Sequence, residues 1–305
     1  MLIRVLGSAA GGGFPQWNCG CRNCRGVRER TLRVRARSQE CVVVSTDGAS
    51  WALLNCSPEI RQQIEAFPGL HPRGPRHSPI AAILFTNGDL DHTLGLLSLR
   101  ESHPLIVYAT EPVRRGFIEG NVLYRTLERF PGQVTWRPLK AGREEPIIDT
   151  DGRDIGLTVE AVAIPGKPPV HLETLAPPDP EDNVGFRVRE RATGQTLVYL
   201  SGVGAVTESV RRAMSGAAVV FFDGTFWSSD ELPALGLGTK RAEEMAHWPI
   251  GGPQGSLPFA SKIAGRTFYI HVNNTNPILI EDSPERRAVN DAGIQVAHDG
   301  LELDL

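Results

Sequence analysis

The sequence carries no excess of charge of either sign. Its 32 lysines and arginines nearly balance 35 aspartates and glutamates, for a formal net charge of −3. The isoelectric point is near 6.3. No broad field therefore favours nucleic acid or an anionic membrane surface. Long apolar runs are also missing. The longest, such as Ala217–Phe222, are the size of a strand and too short for a membrane span. The apolar stretch at the N-terminus is too short for a signal-peptide core and contains Arg4. Internal repeats and interdomain linkers are absent. The five cysteines form an odd set, three of them within six residues, which excludes a disulfide scaffold.

What is present reads as a well-cored protein. Apolar residues make up 41% and charged residues 22%, which rules out wholesale disorder and coiled coil. Thirty-two glycines and 23 prolines predict many turns and long loops on a rigid frame. Leu2–Leu6 reads as a strand, followed by a glycine-rich loop, 7–26. Cys41–Ser45 and Trp51–Asn55 read as a hairpin around Asp47-Gly48. Ser57-Pro58-Glu59 has the cap, proline and acid of a helix start, repeated at Ser283-Pro284-Glu285. Ile80–Phe85 and Ala217–Asp223 are apolar enough for strands buried on both faces. Leu105–Tyr108, Val134–Trp136, Leu157–Ile164, Val184–Val188, Thr196–Leu200 and Arg266–His271 add further strands, Leu94–Leu99 looks helical, and Pro165–Asp182 is a proline-rich loop. Strands outnumber helices. This predicts an α+β protein, one domain over residues 1–305, with sheets inside and helices outside.

Cys19-Gly20-Cys21-Arg22-Asn23-Cys24 places three thiols in one tight loop. Disulfides at this spacing would be strained, and the expected cytoplasmic location keeps thiols reduced. Three thiolates so close can share a structural Zn²⁺, with Gly20 relieving the crowding. The segment holds no histidine, so a fourth ligand comes from elsewhere in the chain or from water. Cys41 and Cys56 fall on strands or strand ends and read as core residues.

Three expected strands end in residues able to bind metal. The first runs into Asn87-Gly88-Asp89-Leu90-Asp91-His92, the second ends at Asp223 and the third at His271. His247 is a further candidate. Singly, an aspartate in a turn is a cap and a lone histidine a satisfied core or surface group. Recurrence at three strand ends points to one site. Two histidines with a carboxylate suit Zn²⁺, and equally a non-haem iron with open positions.

At these residues the chain resembles the metallo-β-lactamase superfamily, whose His-x-His-x-Asp-His loop follows a buried strand. In that register Asn87 and Asp89 replace the two early histidines, Asp91 and His92 match, and His271 matches the terminal histidine. The later superfamily aspartate is missing at Tyr199-Leu200-Ser201-Gly202. The departures fit a narrower resemblance, over nearly the whole chain, to the PqqB family. It is carried by Gly11-Gly12-Gly13-Phe14-Pro15-Gln16-Trp17-Asn18-Cys19 with Cys21 and Cys24, Leu54-Asn55-Cys56-Ser57-Pro58, Thr86-Asn87 to His92, Asp223-Gly224-Thr225-Phe226-Trp227, Ile270-His271-Val272-Asn273-Asn274-Thr275-Asn276-Pro277 and Asp282-Ser283-Pro284-Glu285-Arg286. Cys56 stands where alanine is more usual, and Ala246 where glycine is common.

The resemblance implies a four-layer αββα sandwich with its site at the edge between two sheets. It implies a role in making pyrroloquinoline quinone (PQQ) from a peptide carrying glutamate and tyrosine. It leaves three activities open: an iron-dependent hydroxylase acting on the tyrosine, a carrier of PQQ or its precursor, and the zinc hydrolase of the wider superfamily. For the hydroxylase, Asp91, His92 and His271 are the catalytic, metal-binding set. Asp89 and His247 lie nearby, and Asp223 is either a ligand or the group that orients a histidine. Trp227 and Phe226 would wall the substrate, and Lys167 would meet its carboxylates. Related phosphodiesterases complete a three-cysteine zinc site with a histidine three residues after the terminal one. Here that position is Asn274, so the fourth ligand is Asn274, Asn18 or water. The implied cofactors are a structural zinc and an iron or other divalent metal. The implied partners are the peptide-derived precursor or PQQ and a second copy in a homodimer, with neither nucleic acid nor a membrane span.

Overall fold

The computed structural model describes residues 1–119, 121–174 and 177–305. Its strands are β1 (Leu2–Gly7), β2 (Cys41–Ser45), β3 (Trp51–Leu54), β4 (Ile80–Leu84), β5 (Leu105–Thr110), β6 (Val134–Leu139), β7 (Glu144–Ile148), β8 (Asp154–Ala163), β9 (Val184–Glu190), β10 (Thr196–Leu200), β11 (Val219–Asp223), β12 (Arg266–Ile270), β13 (Gln295–Val296) and β14 (Glu302–Asp304). The helices are α1 (Arg22–Glu29), α2 (Ile60–Glu65), α3 (Leu90–Thr93), α4 (Gly95–Ser98), α5 (Glu111–Ile118), α6 (Glu208–Met214), α7 (Glu231–Ala234), α8 (Leu257–Ala260) and α9 (Pro284–Asp291). Two seven-stranded sheets form, in the orders β14-β1-β2-β3-β4-β5-β6 and β13-β12-β11-β10-β9-β8-β7.

The expected αββα sandwich follows from how single strands divide their side chains. Successive residues of a strand face opposite ways. In β2, Val42 and Val44 pack inward against Leu157, Val159 and Phe186 of the other sheet. Val43 points outward with Leu53, Ile83 and Val107, against Ile60 of α2, Leu96 of α4 and Phe117 of α5. In the second sheet, Val198, Val220, Phe222 and Tyr269 face Val210 and Met214 of α6 and Val289 of α9. Three apolar layers therefore separate four layers of structure, and the central strands must be apolar on both faces. No helix among the described residues is long and apolar enough to cross a membrane.

Several local expectations change. The loop predicted over 7–26 ends at Cys21, because Arg22–Gly26 already belong to α1. The Cys21 sulfur takes the N-cap role, accepting the Cys24 N–H at 3.5 Å. Ser283 caps α9 as read, its hydroxyl accepting from the Arg286 N–H. Ser57 does not cap α2, which starts at Ile60 with no side-chain cap. Its hydroxyl instead donates to Gln63 Oε1 at 2.9 Å, a buried acceptor with a stronger claim on it. The stretch Leu94–Leu99 is one short turn, α4, preceded by another, α3.

Both sheets run parallel through the strands that matter: β3 to β6 in one, β10 to β13 in the other. The carboxyl ends of β4, β11 and β12 therefore open on the same edge, where α/β-type sheets present their ligands. Gly95 brings α4 against the end of β3, and a Cβ there would stand 2.1 Å from the Ser57 carbonyl oxygen. Gly95→Ala is expected to cost about 1–3 kcal/mol, as overpacking against rigid backbone does. An unchanged denaturation midpoint would contradict that packing.

Candidate metal centre

Asp91 and His92 sit in α3, in the loop after β4. Asp223 ends β11, and His271 follows β12 directly. One oxygen of Asp91 lies 3.3 Å from His271 Nε2 and 3.5 Å from His92 Nε2. Potential ligand atoms of Asp91, His92 and His271 all fall within 4.8 Å of one another, and so do those of Asp223, His247 and His271. His271 belongs to both groups. The two imidazoles of His247 and His271 stack, with centroids 5.4 Å apart.

The neighbours fix which ring nitrogen is left to bind. Thr86 donates its single hydroxyl proton to Asn55 Oδ1 at 3.0 Å. Its oxygen must then accept from His92 Nδ1, also at 3.0 Å. The Asn55 amide is itself oriented, because the Thr86 backbone N–H donates to the same Oδ1. Thr225 repeats the arrangement. Its hydroxyl donates to Asp223 Oδ1 at 2.6 Å, so its oxygen accepts from His271 Nδ1 at 2.8 Å. His247 Nδ1 donates to Asp223 Oδ2 at 2.8 Å. Each histidine thus has Nδ1 committed and Nε2 available, the state that metal ligands adopt. His92 Nε2 is buried with no hydrogen-bond partner. Such an orphaned lone pair, beside a carboxylate and a second imidazole, fits a divalent cation.

The charges are arranged to the same end. Burial works to raise the Asp91 carboxyl's pKa, but the adjoining His92 and the His271 hydrogen bond hold it well below the usual range. Burial pushes the His92 pKa down, against the opposing pull of the Asp91 carboxylate. Burial also opposes a charge on His271, yet the bond to Asp91 and that carboxylate's charge lift it to about 9. In the metal-free protein His271 Nε2 therefore holds a proton toward Asp91, and a cation bound there takes that proton's place.

The thiol cluster lies across the same turn. Cys19, Cys21 and Cys24 form a third group of candidate ligands within 4.8 Å. Over them sits the Asn274 amide, its nitrogen 3.1, 3.7 and 3.3 Å from the three sulfurs. Asn23 donates to the backbone oxygens of Asn274 and Asn276, tying α1 to this turn. Burial pushes the Cys24 thiol up to about 11. Burial acts the same way on Cys19, but hydrogen bonds, first from the Cys21 backbone, outweigh it and bring Cys19 down. The three sulfurs at these spacings could share a zinc ion, which Asn274 would join only through its amide oxygen.

Comparison with known proteins agrees with this architecture. The model of the β-lactamase superfamily domain matches residues 50–272. A curated coenzyme PQQ synthesis protein B from Azotobacter vinelandii is 44% identical over 314 residues, covering 100% of both chains. This chain belongs to the coenzyme PQQ synthesis protein B family. The crystal structure of Zn²⁺-bound PqqB from Methylobacterium extorquens is 41% identical over 100% of both chains, with a TM-score of 0.92. A diphosphatase of the PhnP family, 23% identical with a TM-score of 0.66, covers 100% of this chain and 97% of its own, and shares the fold.

In this family member the remaining candidates are placed less uniformly. Asp89 is the N-cap of α3, and its carboxylate joins neither group of ligands. Phe226 is buried and meets His247 edge-on at 5.8 Å. Trp227 is half-buried against Gly251, and a Cβ on that glycine would meet its ring at 2.7 Å. Lys167 pairs with Glu173. Sequence reasoning missed Thr86, Thr225, Asn55, Tyr199, Glu40 and Glu231. Glu231 accepts from the Trp227 N–H at 2.7 Å and from the Thr275 hydroxyl, and burial lifts its pKa to about 7. None of these residues has a local signal except Asn55, Thr86 and Thr225, which lie inside the literal strings that carried the resemblance.

Backbone strain gathers here too. Asn55, Ala246 and His271 all have left-handed φ, between 57° and 65°. For Ala246 that conformation costs about 1–2 kcal/mol, against about 0.4–1 kcal/mol of chain entropy that a glycine would lose. Ala246→Gly should therefore stabilise the protein by about 0.5–1 kcal/mol, and a lower denaturation midpoint would refute the strain. Thr225→Val, nearly isosteric, removes the acceptor for His271 Nδ1. It should weaken divalent-metal binding about 10- to 100-fold while the far-ultraviolet dichroism holds, as read by calorimetric titration.

Proposed function

We propose that this protein hydroxylates the tyrosine ring of a small peptide-derived precursor during PQQ synthesis, with iron held by Asp91, His92 and His271. Membership of a PQQ-synthesis family supports the pathway. The observation that carries the chemistry is the pair of neutral-competent imidazoles, His92 and His271, around the single Asp91 carboxylate. Two histidines and one carboxylate leave positions open for O₂ and substrate, which suits non-haem iron. Iron, when bound, supplies the activation of O₂ and the transfer of electrons to it. The balance of the reaction is one O₂, two electrons from an external reductant and two protons, giving one oxygen on the ring and one water.

The protein's own side chains supply position. Thr86 and Thr225 hold His92 and His271 by Nδ1, so neither ring can turn away. Asp223 does the same for His247, whose ring stacks on His271 and meets Phe226. Phe226 and Trp227 form the apolar wall on this side, suited to an aromatic substrate. Lys167, half-buried and paired with Glu173, would exchange that partner for a substrate carboxylate. The thiol cluster supports a separate, structural zinc, with the Asn274 oxygen or a water completing three cysteines.

The test uses protein loaded anaerobically with Fe²⁺, given a reductant, air and a peptide carrying glutamate and tyrosine. Oxygen uptake and a product heavier by one oxygen atom are expected. His92→Ala and Asp91→Ala should abolish both while keeping the wild-type dichroism. Absence of product from the iron-loaded protein contradicts the hydroxylase. Tight binding of PQQ to the same metal-free, inactive protein would instead establish a carrier.

A further inference from the structure

Glu40 is fully buried, immediately before β2, and the metal ligands named above leave it unused. Its Oε2 accepts from Asn55 Nδ2 at 3.1 Å, and the same amide nitrogen donates to the Tyr199 hydroxyl at 3.2 Å. The same Oε2 lies 3.7 Å from His92 Nε2. Its other oxygen, Oε1, has no hydrogen-bond partner, and neither has His92 Nε2. A buried carboxylate with an unpartnered oxygen is expensive, and no arginine or lysine pairs with it among the described residues. The gap of 3.7 Å exceeds hydrogen-bond range, so a proton alone does not bridge the two groups. A neutral side chain could keep the Asn55 bond without this cost. The charge therefore calls for a partner, and the orphaned His92 Nε2 lies beside this carboxylate.

We propose that Glu40 is an acidic member of the cation site, acting through its charge from the inner side of His92. It lies outside the two groups whose ligand atoms fall mutually within 4.8 Å, so it is a positioning residue for the cation and adds no fourth bond to that set. Asn55 joins the two halves of the device: its oxygen orients Thr86 and hence His92, while its nitrogen anchors Glu40. The inference rests on the assignment of a cation to Asp91, His92 and His271, and deepens it.

The experiment separates the two. Protein stripped by chelation receives one equivalent of Zn²⁺ for the thiol cluster and is then titrated with Co²⁺. Wild type should bind one Co²⁺, and His92→Ala should not. If wild type binds none, the metal assignment itself falls. Given that binding, Glu40→Gln should lower Co²⁺ affinity about 10- to 100-fold, and Glu40→Asp, which keeps the charge, should recover most of it. The absorption bands of the saturated site should stay as in wild type, because its ligands are unchanged. Metal-free Glu40→Gln should melt no lower than wild type, since it removes a carboxyl whose charge burial disfavours, pushing it up to about 7. Equal Co²⁺ affinity in wild type and Glu40→Gln overturns the proposal. So does a loss of affinity shared by Glu40→Asp and accompanied by a lower metal-free melting temperature in both. Should Glu40→Gln fail to fold, Glu40→Ser is read by the same criteria.

Discussion

The contact between Asp91 and His271 joins the two halves of the molecule. Asp91 follows β4 of one sheet and His271 follows β12 of the other, and they meet at 3.3 Å. Both are held in place by parallel strands whose carboxyl ends open on one edge. The turn that carries His271 does more than this. Val272 donates its N–H to Ser8 and accepts from Ala10, and Asn276 donates to the carbonyls of Gly224 and Thr225. Asn274, in between, covers the three thiols. One short segment therefore sets the position of both candidate metal centres, which explains why a cysteine loop near the N-terminus and a histidine near residue 270 belong to one design.

Around this contact the chemistry is governed by counting protons. A threonine hydroxyl has one to give, and Thr86 and Thr225 each give theirs to an oxygen other than the histidine's partner. The imidazoles must then donate from Nδ1, and their Nε2 atoms turn inward. Polar groups this deep are costly unless satisfied, and nearly all of them are. Among the described residues the exceptions are on Arg37, Glu40, His92, Gln133 and Arg286, and of these His92 and Glu40 lie 3.7 Å apart beside the candidate cation site. Left-handed backbone at Asn55, Ala246 and His271 adds strain at the same place, as functional sites commonly do.

Much of the frame is legible in the sequence because burial on both faces leaves an unmistakable trace. Runs such as Cys41–Ser45 and Ile80–Leu84 are wholly buried, and every residue in them is apolar except Ser45, whose hydroxyl is hydrogen-bonded at the Asp47-Gly48 turn. Short helices are harder to read. The helix over Arg22–Glu29 is dominated by arginine, and its start is capped by a sulfur, so it carries neither an apolar stripe nor a familiar cap. The candidate ligands Asp91, His92 and His271 stand at or just after strand ends and can be found there. Glu40 and Tyr199 cannot, since each meets partners distant in sequence that only the fold supplies. Ser57 shows the converse: a correct local signal overruled by a better acceptor, Gln63.

The central claim is that the chain holds two metals in separate roles, zinc at Cys19, Cys21 and Cys24 and iron at Asp91, His92 and His271. Elemental analysis of anaerobically purified wild type, Cys21→Ser and His92→Ala tests it most directly. Wild type should contain both metals, Cys21→Ser should lose zinc and keep iron, and His92→Ala should lose iron and keep zinc. Loss of both metals from one well-folded variant, or of neither from both, would contradict the account.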